Sequence, residues 1–293
     1  MHEQVAGGPT VAERLRGDFE ALTRAERQLA DALLENYPML GLESIGAVAA
    51  KAGVSMPTVL RMARKLGFAG FPDMQAALRA ELQATLSNPI AKHDQWTSGA
   101  PEGHILSRFG AAAAENIRQT IQRIDAADFD AAVRLLADPH RNVHVVGGRI
   151  TRALADYFFT HMQVVRPGVT LIASNANSWP HYVLNMRAGD VLVAFDIRRY
   201  EHDIVRLAEM AHEREVKLVL FTDQWGSPAA KGAAHSFHAR IEAPSAWDST
   251  VALMTVAEAL IAAVETATWA TTRERMAKLE ELFDRTKLFR KFV

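Results

Sequence analysis

Residues 44–67 read Ser44-Ile-Gly-Ala-Val-Ala-Ala-Lys-Ala-Gly-Val-Ser-Met-Pro-Thr-Val-Leu-Arg-Met-Ala-Arg-Lys-Leu-Gly67, a pattern of two short helices joined by a tight turn. Gly53 falls where the chain must turn, and glycine adopts a left-handed backbone at low cost. Ser55 can cap the second helix, and Pro57 is tolerated in its first turn. The pattern predicts a helix-turn-helix, whose second helix enters the major groove of DNA.

The second helix of this pattern has an apolar inner face and an outer face that carries its basic residues. The predicted inner side chains are Val59, Leu60, Ala63 and Leu66. N-terminal side chains of a recognition helix lie near base edges, whereas cationic ones reach phosphates. We therefore predict base contacts for Ser55, Met56 and Thr58, phosphate contacts for Arg64 and Lys65, and either contact for Arg61. A plain helical hairpin is the alternative, because residues 1–90 carry 9 Lys and Arg against 10 Asp and Glu.

The composition of the whole chain excludes several classes of protein. At 293 residues, with 49% apolar and 23% charged residues, the chain has room for two globular domains. The absence of cysteine excludes disulfide scaffolds and thiolate chemistry, and it suits a reducing cytoplasm. A net charge of −1 creates no global field that attracts nucleic acid or an anionic membrane. Since neither a signal peptide nor an apolar run of about 18 residues is visible, we expect a cytoplasmic protein with no membrane partner.

Local signals divide the chain into an all-helical part and a mixed part. A capping box of Thr23 and Glu26 opens an apolar stripe and predicts a helix over residues 22–36. A further helix is predicted to end near Leu86, before a polar stretch that is the best linker candidate. The predicted organisation is a helix-turn-helix domain at residues 1–86, a linker at 87–104, and an effector-binding and oligomerisation domain at 105–293.

The second part of the chain alternates helices with short apolar strands. Helices are predicted near residues 105–124, 128–137 and 151–165, and strands near 142–148, 169–173, 190–195, 217–222 and 236–241. This alternation predicts a parallel sheet covered by helices on both faces. The fold class is thus α/β, with an all-α N-terminal domain followed by a parallel-sheet sandwich. In such sheets, ligands bind at the carboxyl ends of the strands.

Several polar groups follow these strands and point to one crevice. A glycine turn that feeds a helix N-terminus favours an anion, and arginines at a strand end suit a carboxylate or phosphate. Thr222, Asp223 and Ser227 follow the fourth strand, and Asp248 opens the last long helix. The predicted effector-binding residues are Gly147, Gly148, Arg149, Thr151, Asp196, Arg198, Arg199, Asp248 and Ser249.

Each of these features also has a purely structural explanation. Glycines fit any tight strand-to-helix turn. The arginines can pair with Asp196, Glu201 or Asp203, or can lie in a subunit interface, because structural ion pairs resemble sites. Asp248 and Ser249 can serve as a plain helix cap.

The sequence predicts neither a metal site nor a cofactor. His235 and His238 are three residues apart, but no recognised ligand pattern surrounds them. The glycine turn lacks the three spaced glycines of a dinucleotide site. No nucleophile comes with a base and an orienting group, and Glu258 and His181 are only nominal bases for an isomerase. We therefore predict that the chain is not an enzyme.

A set of segments in the N-terminal half is specific enough to suggest a family. They are Leu22-Thr-Arg-Ala-Glu-Arg, Ser44-Ile, Ala49-Ala-Lys-Ala-Gly-Val-Ser, Thr58-Val, Arg61, Arg64-Lys-Leu-Gly-Phe and Gly70-Phe. Together they resemble the RpiR/MurR transcriptional regulators, and the resemblance covers roughly residues 10–285. It implies an N-terminal helix-turn-helix and a C-terminal sugar isomerase (SIS) domain, a parallel α/β sandwich that binds phosphosugars.

This chain departs from that family in the two loops that hold the phosphate. The first loop, usually Gly-x-Gly-x-Ser, is Gly147-Gly-Arg-Ile-Thr151 here. In the second, usually Ser-x-Ser-Gly-x-Thr, Asp196 and Arg198 replace the serines and Arg199 replaces the glycine. The hydroxyl-lined cradle is lost, and we hypothesise that Arg198 or Arg199 grips an anionic ligand, a phosphosugar or another acid.

These observations predict a ligand-responsive transcription factor. Its expected partners are a double-stranded DNA operator, a small anionic effector and further copies of itself in a homodimer or homotetramer. Such an oligomer would space two recognition helices about 34 Å apart, or a multiple of that distance, on a two-fold symmetric site. The alternatives are a sugar-phosphate isomerase on the same fold, and an α/β domain that serves only in oligomerisation.

Overall fold

The computed structural model describes residues 8–98, 103–287 and 289, which divide into two compact units. The first unit holds the described residues up to 105, with the short segments 224–226 and 244–247. The second holds residues 106–223 and 227–243 and the described residues from 248 onward. The described part of the predicted linker 87–104 contains a helix and belongs to the first unit, so its role as a linker stays a prediction.

The first unit is all-helical, as its sequence predicts. Its helices are α1 (Val11–Gly17), α2 (Arg24–Glu35), α3 (Ile45–Lys51), α4 (Met56–Lys65), α5 (Phe71–Leu86) and α6 (Pro89–Ser98). Thr10 with Glu13 forms a capping box at α1, and Thr23 with Glu26 forms the predicted one at α2. Each box satisfies two backbone N–H groups that a helix start leaves without a partner.

One apolar core holds these helices together, and it corrects the predicted inner face of α4. The side chains buried in it include Leu15, Leu29, Val48, Val59, Met62, Met74 and Leu78. Leu60, predicted to face inward, is 38% exposed, and fully buried Met62 takes its place. The reason is helical geometry: a residue three positions after Val59 shares its face, whereas the next residue is turned by about 100°.

The second unit alternates helices and strands. Its elements are α7 (Ile105–Ile121), α8 (Ala126–Ala137), β1 (Val143–Gly147), α9 (Arg152–Val165), β2 (Val169–Leu171), α10 (Trp179–Asn185), β3 (Val191–Phe195), α11 (His202–Glu213), β4 (Lys217–Asp223), β5 (His235–Ala239), α12 (Val251–Ala267) and α13 (Trp269–Thr286). Each predicted strand lies within two residues of its observed bounds. The helix predicted to be the last long one is α12, but α13 follows it after Thr268.

The five strands form one parallel sheet in the order β2-β1-β3-β4-β5. β1 and β3 are buried along their whole length, which fits strands covered on both faces. Phe195 of β3 stacks on Phe221 of β4 at a centroid distance of 4.5 Å, and Phe158 of α9 packs against both rings. After β1 the chain forms β2 on one side of β1 and then β3 on the opposite side of β1. A crevice at the carboxyl ends of β1 and β3 is expected where the strand order reverses in this way.

In the described part of the chain, no single helix has both the length and the apolar composition to cross a membrane. The pair α12 and α13 meets that test only together, and the two helices are bent by 100° relative to each other.

Candidate functional sites

The helix-turn-helix consists of α3, a turn at Gly53 and α4. Gly53 has φ +65°, the left-handed conformation that the sequence predicts. The Ser55 Oγ accepts a hydrogen bond from the Thr58 N–H at 3.4 Å and caps α4. The Val54 N–H donates to the Ala49 carbonyl at 2.9 Å, which closes the end of α3. Local hydrogen bonds therefore set the relation between the two helices.

One side of α4 is exposed, as a DNA-reading surface requires. Five of the six predicted contact residues are exposed on it: Ser55, Met56, Arg61, Arg64 and Lys65. Met56, at the start of the helix, is 52% exposed. We call the surface that these five residues form the outer face of α4.

Thr58 differs from its prediction as a base-contact residue. It is only 5% exposed, and its hydroxyl lies 2.9 Å from the Ser55 Oγ and accepts a hydrogen bond from Arg61 Nη2 at 3.3 Å. Its position, four residues before buried Met62, puts it on the inner side of the helix. Thr58 therefore orients Ser55 and Arg61 and is not itself available to a base in this conformation.

Lys65, although exposed, is engaged within the domain. Its Nζ donates to the Glu26 carboxylate at 3.0 Å and to the Ala21 carbonyl at 2.7 Å. The hydrogen bond from the Thr23 N–H and the contact with Lys65 lower the pKa of Glu26, against the effect of burial. Lys65 thus ties the end of α4 to the start of α2, which weakens its prediction as a phosphate contact.

Arg14 of α1 holds the other side of the same helix end, a contact that sequence reasoning did not find. Its Nη1 donates to the Leu66 carbonyl at 2.6 Å, and its guanidinium lies 4.6 Å from the centroid of the Phe68 ring. A cation is favourable at a helix C-terminus because it satisfies unpaired carbonyls and opposes the helix dipole. Because Arg14 and Leu66 are 52 positions apart, no local sequence pattern predicts this contact.

In the second unit, the loop after β1 contacts the end of β3, where the crevice is expected. Gly148 donates its N–H to the Phe195 carbonyl at 3.3 Å, and the Thr151 hydroxyl donates to the same carbonyl at 2.7 Å. A Cβ on Gly147 would lie 2.5 Å from the Thr151 carbonyl oxygen, so no larger residue fits there. Thr151 is 3% exposed, and its hydroxyl joins the β1 loop to the end of β3.

Asp196 ends β3 as a buried carboxylate, 2% exposed. It accepts hydrogen bonds from the Ser227 hydroxyl and, at 3.2 Å, from the Glu201 N–H. Burial raises its pKa to about 6; the two hydrogen bonds oppose that rise, and the charges of Asp223 and Glu201 add to it. A buried carboxylate with these partners repels an anion and so does not itself bind one.

Asp223 is the second buried carboxylate of the crevice, at the end of β4. It accepts hydrogen bonds from the Arg198 N–H at 2.6 Å and from the Tyr200 hydroxyl at 2.8 Å. Burial and the Asp223 charge raise the pKa of Tyr200 well above its usual range, so this hydroxyl stays a donor. Asp223 therefore fixes the loop that carries both arginines.

The two arginines of this loop differ in environment. The Arg198 side chain is 5% exposed, and its Nε lies 3.2 Å from Asp248 Oδ2, so it forms an internal ion pair. The sequence predicts Asp196, Glu201 or Asp203 as the acidic partner of the arginines. The observed partner of Arg198 is Asp248, which is itself predicted to bind the effector. Arg199 is exposed and has φ +70°, a conformation that glycine adopts more easily.

The start of α12 matches the capping alternative only in part, because its N-cap residue is Thr250 and no side chain caps it. Ser249 is 4% exposed, and its Oγ accepts a hydrogen bond from the Val251 N–H at 3.4 Å. Asp248 is paired with Arg198, and its side chain is 15% exposed.

Glu201 is the residue of the crevice that sequence reasoning missed as a site residue. Its carboxylate accepts a hydrogen bond from the Arg149 N–H at 2.6 Å and lies against Gly148, where a Cβ would come within 2.7 Å of Glu201 Oε1. A signal was present, because Glu201 is the sixth residue of the loop that starts at Asp196, the position of the threonine in Ser-x-Ser-Gly-x-Thr. The Glu201 carboxylate of the protein itself thus lies in the loop region where the sequence predicts that an anion from solution binds.

The histidines and nominal bases have separate surroundings. His235 Nδ1 lies 2.7 Å from Asp128, and His238 Nδ1 lies 3.1 Å from the Asp223 carbonyl. Glu258 accepts a hydrogen bond from the Tyr157 hydroxyl at 2.7 Å, and His181 is exposed on α10. Within the residues that the structure describes, no group of three or more His, Asp or Glu is placed to hold a metal ion.

Two families match the chain, one in each part. The family described as helix-turn-helix domain, rpiR family, matches residues 10–85, and the SIS domain family matches residues 135–263. The first match contains the whole of α2 to α4, and the second contains β1 to β5 with the crevice.

Curated relatives of the chain include regulators and larger proteins. It is 26% identical over 227 residues to the HTH-type transcriptional regulator HexR of Pseudomonas aeruginosa, and the match covers 75% of each protein. It is 29% identical over 235 residues to the Bifunctional protein glk of Paraburkholderia xenovorans, which covers 78% of this chain. The matched part is only 35% of that second protein's length, so the activities of the larger protein are not carried over.

Two solved structures share the fold. The sugar isomerase domain of an RpiR transcription factor from Sphaerobacter thermophilus has a TM-score of 0.58 at 22% identity, covering 61% of this chain and 99% of that one. The Vibrio vulnificus NanR protein complexed with ManNAc-6P has a TM-score of 0.57 at 18% identity, covering 96% of this chain and 99% of that one. At these identities the similarity establishes the fold.

Proposed function

We propose that the chain is a DNA-binding transcriptional regulator of the RpiR family whose SIS domain senses a small anionic metabolite, because its two parts match the rpiR-family helix-turn-helix and the SIS domain. The observation that carries this proposal is the exposed outer face of α4 within an rpiR-type helix-turn-helix. The metabolite is a sugar phosphate or another acid. The protein acts in the cytoplasm as a homodimer or homotetramer.

We propose a division of roles along α4. Ser55 and Met56, at its exposed N-terminal end, contact base edges; Arg61, oriented by Thr58, contacts a base or a phosphate. Arg64 contacts a phosphate. Lys65 has a supporting role because its ammonium group is bound to Glu26. Modest local charge means that specificity depends on groove contacts and on the pairing of two subunits.

The effector site that we propose is the crevice at the reversal of strand order between β1 and β3. Exposed Arg149 and Arg199 flank it and supply positive charge for an acid. Arg198 is held by Asp248, so it shapes the loop and contacts the effector only if that ion pair opens. Binding there would change the spacing of two recognition helices in the oligomer, which is the two-state element that allostery requires.

A first experiment tests DNA binding. Purified full-length protein would be incubated with genomic DNA fragments at low salt, and the retained fragments would be sequenced. Enrichment of a two-fold symmetric motif is the expected result, with half-sites about 34 Å apart or a multiple of that distance. No enrichment would overturn the proposal and return the helix-turn-helix to a structural role.

A second experiment tests sensing. DNA binding to the enriched fragment would be titrated with a panel of phosphosugars and sugar acids, using the wild type, Arg198→Ala and Arg199→Ala. We expect one compound to shift the wild-type affinity and Arg199→Ala to lose that response. If both variants keep it, the arginines do not bind the effector.

One observation favours a second candidate function for the SIS domain, that of oligomerisation alone. Its crevice is occupied by internal contacts: Asp248 with Arg198, Asp223 with Tyr200, and Glu201 with the Arg149 N–H. If no compound of the panel changes DNA binding or gives saturable heat in calorimetry, this second candidate is favoured.

A further inference from the structure

We propose that Glu201 is an internal ligand of the crevice, and that an anionic effector binds by displacing its carboxylate. The inference rests on the proposed function, because it names how the same crevice is regulated. It assigns a role to a side chain that neither the sequence motifs nor the ion pairs of the crevice explain.

The contact occupies a backbone N–H group in the loop after β1. The Arg149 N–H lies in the loop between β1 and α9, two residues before Thr151, the N-cap of α9. Glu201 Oε1 accepts this hydrogen bond at 2.6 Å, a short distance typical of a charged acceptor. Gly148 leaves room for it, since a Cβ there would lie 2.7 Å from Oε1 and 2.8 Å from the Glu201 Cδ.

Glu201 also connects the two sides of the crevice. Its side chain is bound to the loop after β1, and its own N–H donates to Asp196 at the end of β3 at 3.2 Å. It is the residue before the first turn of α11, so its position is coupled to that helix. Displacement of the carboxylate would release the loop before α9 from the start of α11.

The contact is exchangeable because it is made by a flexible side chain at the surface. Glu201 is exposed, and the internal acceptor competes with a solution anion for one N–H group. Two buried carboxylates, Asp196 and Asp223, add negative charge nearby. These two charges remain in a Glu201 variant, but removal of the Glu201 charge takes away both the competing acceptor and one repulsive charge, so an incoming anion gains affinity.

The test measures binding of inorganic phosphate to the full-length protein. The melting temperature would be followed against phosphate concentration at constant ionic strength, for the wild type, Glu201→Gln and Glu201→Ala. We expect both variants to lower the half-saturating phosphate concentration by at least about tenfold. Glutamine keeps the shape and an oxygen acceptor, and alanine empties the position, so agreement between the two separates charge from packing.

Two control variants separate displacement from a general charge effect. Asp203→Asn removes an equal charge from an exposed residue in the first turn of α11 and should behave as the wild type. Gly148→Ala combined with Glu201→Ala fills the vacated space with a methyl group and should abolish the gain. An equal gain in Asp203→Asn, or no phosphate binding by either Glu201 variant, overturns the proposal.

The same variants distinguish this inference from the proposed function. If a phosphosugar changes DNA binding of the wild type and Glu201→Gln responds at the same concentration, the displacement mechanism is wrong and the regulator stands. If Glu201→Gln binds phosphate more tightly but no anion changes DNA binding by either protein, displacement is supported and the sensing role is wrong.

Discussion

Lys65 Nζ lies 3.0 Å from Glu26 Oε2, and this contact joins the last turn of α4 to the first turn of α2. Glu26 serves two purposes at once, because the same carboxylate oxygen accepts the Thr23 N–H of the capping box at 2.9 Å. The basic residues at the end of α4 therefore divide into one that supports the domain and one that is open to a partner. Arg64 is the open one.

Arg64→Ala and Lys65→Ala should affect DNA binding differently. If Arg64 neutralises a phosphate, its loss reduces the slope of log Kobs against log salt concentration by about 0.9. Lys65→Ala should leave that slope close to the wild-type value and lower the free energy of unfolding by about 0.5 kcal/mol, because the Lys65 side chain is partly exposed. Filter binding at several salt concentrations and urea unfolding measure the two effects. If both variants reduce the slope by the same amount, Lys65 leaves Glu26 to reach the DNA.

The Arg198–Asp248 pair should be important for stability. Removing one member of a buried pair leaves the other charge without compensation, so Asp248→Ala should lower the free energy of unfolding by about 3 kcal/mol. Arg198→Ala should have a similar effect, and the double variant should lose less than the sum of the two. Urea unfolding of the three variants measures this coupling. Full stability of Arg198→Ala with loss of effector response would instead make Arg198 a ligand contact.

Asp196 should produce a pH dependence with a defined sign. Its pKa of about 6 in the folded protein exceeds the value of about 3.9 expected when unfolded, so the folded state holds the proton more tightly. Asp196 therefore contributes most to the free energy of unfolding below pH 4. About 3 kcal/mol of that contribution is lost as the pH rises from 4 to 6. The stability of Asp196→Asn relative to the wild type should rise across this window. Urea unfolding from pH 4 to 7 measures it, with Asp203→Asn as a control that should show no such trend.

Arg199→Gly should keep or raise stability. The left-handed conformation of Arg199 costs a residue with a side chain about 1–2 kcal/mol, and glycine removes that cost. Part of this gain is offset because glycine makes the unfolded chain more flexible. The expected change is a gain of about 0.5 kcal/mol. The same substitution at exposed Arg206, inside α11, should cost about 1 kcal/mol and serves as the control. A loss at Arg199 as large as at Arg206 would mean that the Arg199 side chain makes stabilising contacts.

Local sequence patterns were sufficient for the elements whose partners are close along the chain. The capping box at Thr23, the left-handed turn at Gly53 and the Ser55 cap each depend on groups within a few residues, so a short stretch of sequence predicts them. The alternation of buried strands with helices likewise predicted the parallel sheet, because full burial on both faces leaves a continuous apolar run. Family resemblance added the nature of both domains.

The partners of the polar side chains in the two sites, by contrast, depend on the folded chain. Lys65 meets Glu26 across 39 residues, and Arg149 meets Glu201 across 52. Arg198 likewise pairs with Asp248 rather than with the acids near it in sequence. A charged group can pair with any opposite charge or free N–H group that folding brings within about 3 Å, and chain distance does not limit that choice. Periodicity can therefore place a residue at a crevice, while only the fold decides whether its side chain is open to a ligand or already bound.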